Sequence, residues 1–154
     1  MAAAQSLVVF TLNEWRYALH LAAVERIVLI AAITPLPKAP EIVLGVVDIQ
    51  GRIVPVVDIR KRFRLPERQI RLSDHLIIAS TSRHAIALRV DEVGGVIARP
   101  HGEPTTADQI LPNLQYLEGV VKLEDGLILI HDLDTFLSPV EARQLERVMA
   151  SGRD

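Results

Sequence analysis

The sequence predicts a mainly β protein in which two small barrels share one core and a short helix closes the chain. Three observations lead there: an aliphatic composition poor in aromatic rings, a second half that repeats the strand pattern of the first, and turn-forming residues between the apolar runs. Of the 154 residues 49% are hydrophobic and only 4% aromatic, so the core is built from Val, Ile and Leu, which suit the pleated strand. A chain of this length buries a core without covalent staples and is expected to form one domain. With 23% charged residues and a formal net charge of −2, it lacks the low hydrophobicity and high charge of disordered chains.

The repeat is read strand by strand. Leu7-Val8-Val9-Phe10 matches Leu76-Ile77-Ile78-Ala79, and Tyr17-Ala18-Leu19-His20-Leu21 matches Ile86-Ala87-Leu88-Arg89-Val90. Val24, Ile27 and Val28 then fall on Val93, Val96 and Ile97. After a short insertion Gly45-Val46-Val47-Asp48-Ile49 falls on Gly119-Val120-Val121-Lys122-Leu123, and Val56-Val57-Asp58-Ile59 on Ile130-His131-Asp132-Leu133. The halves run over residues 6–70 and 75–138. Gln50-Gly51 and Asp125-Gly126 sit where a hairpin needs residues that tolerate positive φ, and Asn13-Glu14 and Ser82-Arg83 separate the first strand pair of each half. Each half is therefore expected to be a set of short antiparallel strands.

Runs such as Ile53-Val54-Pro55-Val56-Val57 are apolar on both faces, as when a curled sheet packs against a second unit. Pro55 lacks a donor and is expected at a bulge or an edge. Thr34-Pro35-Leu36-Pro37-Lys38-Ala39-Pro40 reads as a stiff ordered linker, with His101-Gly102-Glu103-Pro104 in the same part of the second half. Asp58 and Asp132 are placed to cap short helical turns over 59–63 and 133–137. Ser138-Pro139-Val140-Glu141 combines a capping serine, a first-turn proline and a capping-box glutamate, which predicts a helix over 139–150.

Composition also narrows function. Without cysteine there are no disulfides, thiolate nucleophiles or Cys-based zinc sites, and a reducing compartment is the simplest context. The first residues lack the basic start of a signal peptide, and no apolar run reaches the length of a membrane span. A cytoplasmic protein without direct membrane insertion is expected. His20, His75, His84, His101 and His131 are scattered, so neither a metal nor a cofactor is expected. His131, Asp132 and Asp134 could form a general-base group of a hydrolase, but neighbouring strand residues point to opposite faces. The basic stretch Arg60-Lys61-Arg62-Phe63-Arg64 with Arg68 and Arg71 reads either as a phosphate-binding surface of a small barrel or as a solvated face or interface rim. It lacks interleaved aromatic platforms, and no nucleic acid is expected as a partner.

The segment Gly45-Val46-Val47-Asp48-Ile49-Gln50-Gly51-Arg52-Ile53-Val54-Pro55-Val56-Val57-Asp58-Ile59-Arg60 resembles the hallmark Gly-Val-x-Asn-Leu-Arg-Gly-x-x-x-Pro-Val-x-Asp-Leu-Arg of the CheW family. The resemblance extends to the opening hairpin, the linker from Pro37 to Gly45, Val90-Asp91-Glu92-Val93 and Tyr116-Leu117-Glu118-Gly119-Val120. It implies an all-β fold of two five-stranded SH3-like barrels packed together, with a short C-terminal α-helix. It also implies a non-catalytic adaptor that couples a chemoreceptor to a CheA-type histidine kinase. One surface would bind the regulatory barrels of the kinase and another the helical tip of the receptor. Couplers of this kind also serve twitching motility and second-messenger pathways. Carried over by position, the expected contact surface is Val24, Arg26, Gly45, Gln50, Gly51 and Arg52, although Val24 and Gly45 also read as a core valine and a close backbone approach. Two positions depart from the family pattern. Gln50 replaces the usual arginine, with Asp48 for asparagine beside it, and Arg26 replaces a residue often acidic. The two are expected to face each other and define an altered partner surface.

Overall fold

In the computed structural model residues 5–30, 32–99, 117–123 and 126–151 are described. The order is β1 (Gln5–Leu12), β2 (Trp15–His20), a 3-10 turn (Leu21–Ala23), β3 (Val24–Leu29), β4 (Val43–Ile49), β5 (Arg52–Val57) and α1 (Ile59–Arg62). Then come β6 (His75–Ser80), β7 (Ala85–Val90), β8 (Glu92–Arg99), β9 (Leu117–Leu123), β10 (Gly126–His131), a second 3-10 turn (Leu133–Thr135) and α2 (Pro139–Ser151). The linker His101–Pro104, Tyr116 and Asp125 of the second hairpin lie outside the described residues.

The strands form two five-stranded sheets, SH3-like subdomains in the orders β8-β1-β2-β10-β9 (sheet A) and β3-β6-β7-β5-β4 (sheet B). Sheet membership crosses the sequence repeat. The chain leaves sheet A at Leu21–Ala23 and runs β3, β4 and β5 in sheet B; after β6 and β7 it returns and runs β8, β9 and β10 in sheet A. Each sheet thus takes two strands from one half and three from the other. This exchange also corrects the expectation of purely antiparallel halves: β2 runs parallel to β10 at Tyr17 and Ala18, and β5 parallel to β7 at Val56 and Val57. The repeat extends to irregularities. The register slips at Glu25 where β3 meets β6, and at the matching Gly94 where β8 meets β1.

Because strands are exchanged, the largest apolar cluster lies between the sheets. It takes Phe10, Leu12, Tyr17 and Leu19 from sheet A, Ile77, Ala79, Ile86 and Leu88 from sheet B, and Ile59, Phe136 and Leu145 from the helical segments. Leu76, Ile78, Val54 and Val56 face a smaller core on the other side of sheet B, and Leu7, Ile128 and Ile130 one in sheet A. A strand such as β6 therefore buries both faces, which explains its unbroken apolar run. Each fully buried Leu, Ile or Val contributes about 1.5–3 kcal/mol.

Pro55 departs from expectation, since β5 is an interior strand. It lies opposite Val46, whose N–H and C=O are exchanged with Thr34 at 2.8 and 2.9 Å, and the β7 ladder begins one residue later. No ladder bond is missing at a position that needs none. The predicted helix is present as α2. Ser138 Oγ accepts from Glu141 N at 3.1 Å, and Glu141 Oε1 accepts from Ser138 N at 2.8 Å. Asp58 and Asp132 cap the short turns as expected, accepting from Arg60 N at 3.1 Å and Asp134 N at 3.2 Å.

Candidate functional site: the β3 edge and the β4–β5 turn

Among the described residues β3 is an edge strand that pairs only with β6. One ion pair joins it to the β4–β5 turn. Arg52, the first residue of β5, donates from both terminal nitrogens to Glu25 at 2.9 and 3.0 Å, and Ser80 at the end of β6 donates to the same carboxylate at 2.5 Å. The two bonds from Arg52, then that from Ser80, hold the Glu25 carboxyl down to about 2. The turn is tight for a local reason. Gln50 and Gly51 both have positive φ, 54° and 87°, and Asp48 Oδ1 accepts from Gly51 N at 2.7 Å. Such a two-residue loop matches the twist of the strands it joins, and aspartate serves at position 48 because an acceptor is what the turn requires.

Arg26, Gln50, Gly51 and Arg52 are exposed around this ion pair. Val24 begins β3, half-buried against the core between the sheets. Gly45 sits higher on β4, under the linker. A Cβ there would lie 2.3 Å from the Thr34 carbonyl oxygen, so only glycine lets the linker bridge to Val46. Arg26 and Gln50, the two positions that depart from the family pattern, flank an ion pair that the sequence did not announce. Glu25 is the extra residue of a bulge, which changes what each neighbour faces, and the acid–arginine pair is Glu25 with Arg52. Strand alternation carries no trace of a bulge, so Glu25 and Ser80 escaped sequence reasoning.

Arg60, Arg62 and Arg68 of the basic stretch are spent on pairs within the molecule, while Lys61, Arg64 and Arg71 stay exposed. Arg60 is 1% exposed and donates to Asp91 at 2.7 and 2.8 Å, to Asn13 Oδ1 at 3.0 Å and to the Pro66 carbonyl at 3.1 Å. Arg68 bonds Asp74 at 2.7 Å and also Asp91, and Arg62 bonds Glu141. Burial raises the Asp91 carboxyl pKa, but the bonds from Arg60, Arg68 and the Asn13 amide outweigh it and hold the carboxyl below its usual range. Guanidiniums held this way cannot follow a phosphate backbone. His131 and Asp132 do not converge either. The imidazole is buried with both nitrogens unpartnered, among Phe63, Tyr17, Phe136 and Phe10 at centroid distances of 4.3, 4.6, 5.2 and 5.7 Å. Burial pushes its pKa down to about 3. Among the described residues no group of three or more His, Asp or Glu could hold a metal ion, and no helix is long and apolar enough to cross a membrane.

The chain resembles known proteins along most of its length. It is 26% identical to a chemotaxis protein CheW of Treponema pallidum, with 90% of this chain and 85% of the relative covered. It is 29% identical to the Bacillus subtilis chemotaxis protein CheW, with 86% of each covered. Among solved structures, the scaffolding protein TtCheW of Thermoanaerobacter tengcongensis superposes with a TM-score of 0.80 at 28% identity, over 90% of this chain and 95% of that one. The model of the CheW-like domain matches residues 6–141, spanning both sheets and the start of α2, and the chain belongs to the CheW-like domain family.

Proposed function

We propose that this chain is a non-catalytic adaptor that couples a chemoreceptor to a CheA-type histidine kinase in chemotaxis signalling. The observation that carries the reading is the family match over nearly the whole chain, with its hallmark segment folded as the β4–β5 hairpin. Val24, Arg26, Gln50, Gly51 and Arg52 would form or border the contact surface, with Gly45 supporting it from the linker side. The adaptor would work in the cytoplasm, recruited to receptor arrays, with no cofactor and no nucleic acid. Holding kinase and receptor at a fixed geometry lets a small receptor shift bias a kinase equilibrium. The test is capture of purified chain by the kinase's regulatory domain and by a receptor signalling tip from the same genome. Binding of both is expected; binding of neither overturns the reading.

A further inference from the structure

Between α1 and β6 the chain runs through residues 66–74, which form neither helix nor strand. Among the described residues no amide from Glu67 to Ser73 donates to a backbone carbonyl. A surface loop without such bonds is expected to be slack. Here side chains hold the backbone from inside. Arg60 donates to the Pro66 carbonyl at 3.1 Å, Arg89 of β7 donates to the Arg68 carbonyl at 3.3 Å, and Asp74 accepts from the Arg71 amide at 2.9 Å. These three anchoring residues are no more than 5% exposed. Arg68 donates to the Gln69 carbonyl at 2.9 Å and to Asp74 at 2.7 Å, and it also bonds Asp91.

The side chains turned outward include two large apolar ones. Ile70 is 47% exposed, and Leu72, a central residue of the turn that Asp74 N closes on the Arg71 carbonyl at 3.0 Å, is 92% exposed. A slack loop lets such side chains fold down onto apolar surface, whereas a fixed backbone keeps them standing in solvent. Stability alone does not account for the charges beneath. Desolvation lowers the Arg89 pKa in spite of the Asp58 and Asp74 carboxylates near it, and apolar side chains of similar volume often replace buried ion clusters without loss. What the charges add is direction, since each donor or acceptor fixes one backbone atom of the loop.

We propose that the buried cluster of Arg60, Arg68, Asp74 and Arg89 is a conformational lock for residues 66–74, which freezes the loop from inside and holds Ile70 and Leu72 outward in one arrangement. The lock is local. The Asp74 carboxylate accepts from Arg68 and Arg71, and Arg89 donates to Arg68, all within the loop. Asp91, which also accepts from Asn13 N at 2.7 Å, reaches across to sheet A instead.

The test is backbone 15N relaxation on the full chain. In the wild type the amides from Glu67 to Ser73 should have order parameters of about 0.85, like those of β6 and β7. Asp74→Ala should bring them below about 0.6 with β6 and β7 unchanged, and trypsin should cut after Arg71 about tenfold faster or more under native conditions. Arg89→Met keeps the volume and removes a buried charge, so it decides the matter if Asp74→Ala does not fold, and it should loosen the same amides. A wild-type loop already below about 0.6 overturns the proposal. So does a folded variant whose loop stays as rigid as in the wild type, or one in which β6 and β7 loosen equally, because the cluster would then support the sheet. Failure of both variants to fold overturns it for the same reason.

Discussion

The two junctions where a β strand passes into a short helical turn share one capping device and hold the molecule differently. In both an aspartate caps the turn, Asp58 before Arg60 and Asp132 before Asp134, with nearly equal capping distances of 3.1 and 3.2 Å. In the first, Arg60 is buried and tied to Asp91 and Asn13. In the second, Asp134 is exposed and its carboxylate accepts from Ser82 N at 2.7 Å. One step earlier in each strand stand Val57 and His131, both buried. The backbone devices coincide at the two junctions while the side chains beside them differ with their neighbours. Interior charge and surface charge are thus distributed unequally between equivalent places.

Removing the acid at each junction gives the widest separation. Asp91→Ala leaves the Arg60 guanidinium, 1% exposed, without its anion and Arg68 with only Asp74, and breaking a buried pair from one side costs about 3–5 kcal/mol. Asp134→Ala removes one hydrogen bond at the surface and should cost no more than about 1 kcal/mol. Urea denaturation of the two variants measures both. Similar losses would mean that the buried network carries no more than the exposed contact, and the contrast between the junctions would be one of appearance only.

What could be read from the sequence follows the range of each interaction. The hairpin at Gln50-Gly51, the two capping aspartates and the Ser138–Glu141 box are set within a few residues, and all are present. The repeat itself was legible because strands and turns recur in order. The exchange of strands between sheets was not, since it depends on where the chain turns at Leu21–Ala23, and separate or exchanged halves have the same pattern. Arg60 read as part of a surface cluster because its partner, Asp91, lies far along the chain beyond two strands. At the candidate surface the residue types were legible and the ion pair between Glu25 and Arg52 was not, because strand alternation carries no trace of the bulge at Glu25.

His131 against Val57 makes a second break-point, and it is pH-dependent. In the folded chain burial holds the imidazole neutral until about pH 3, while an unfolded histidine protonates near 6.5. The unfolded state therefore binds the extra proton first as pH falls, so stability is full above about 6.5 and declines from there toward 3. From pH 6.5 to 4 the loss should be about 3 kcal/mol. His131→Leu removes the titrating group and two unpartnered buried nitrogens, so it should match or exceed the wild type at neutral pH and flatten the acid limb. An unchanged acid limb in His131→Leu would show that other groups govern acid unfolding. Fluorescence-detected denaturation at a series of pH values separates the outcomes.

The smallest effect is expected at the surface pair between β3 and the β4–β5 turn. Glu25 and Arg52 meet in good bidentate geometry, but their side chains are 35% and 52% exposed, and solvent and salt screen such pairs strongly. The carboxyl is held down to about 2 in the folded chain. Its contribution is thus present above the ordinary carboxylate range and lost as pH falls from there through 2, and screening keeps it small throughout. Glu25→Gln keeps an acceptor for Ser80 and removes the charge, so the urea midpoint should stay close to that of the wild type, and closer still in high salt. A large loss of stability in Glu25→Gln would instead mean that this exposed pair contributes far more to the fold than solvent screening allows.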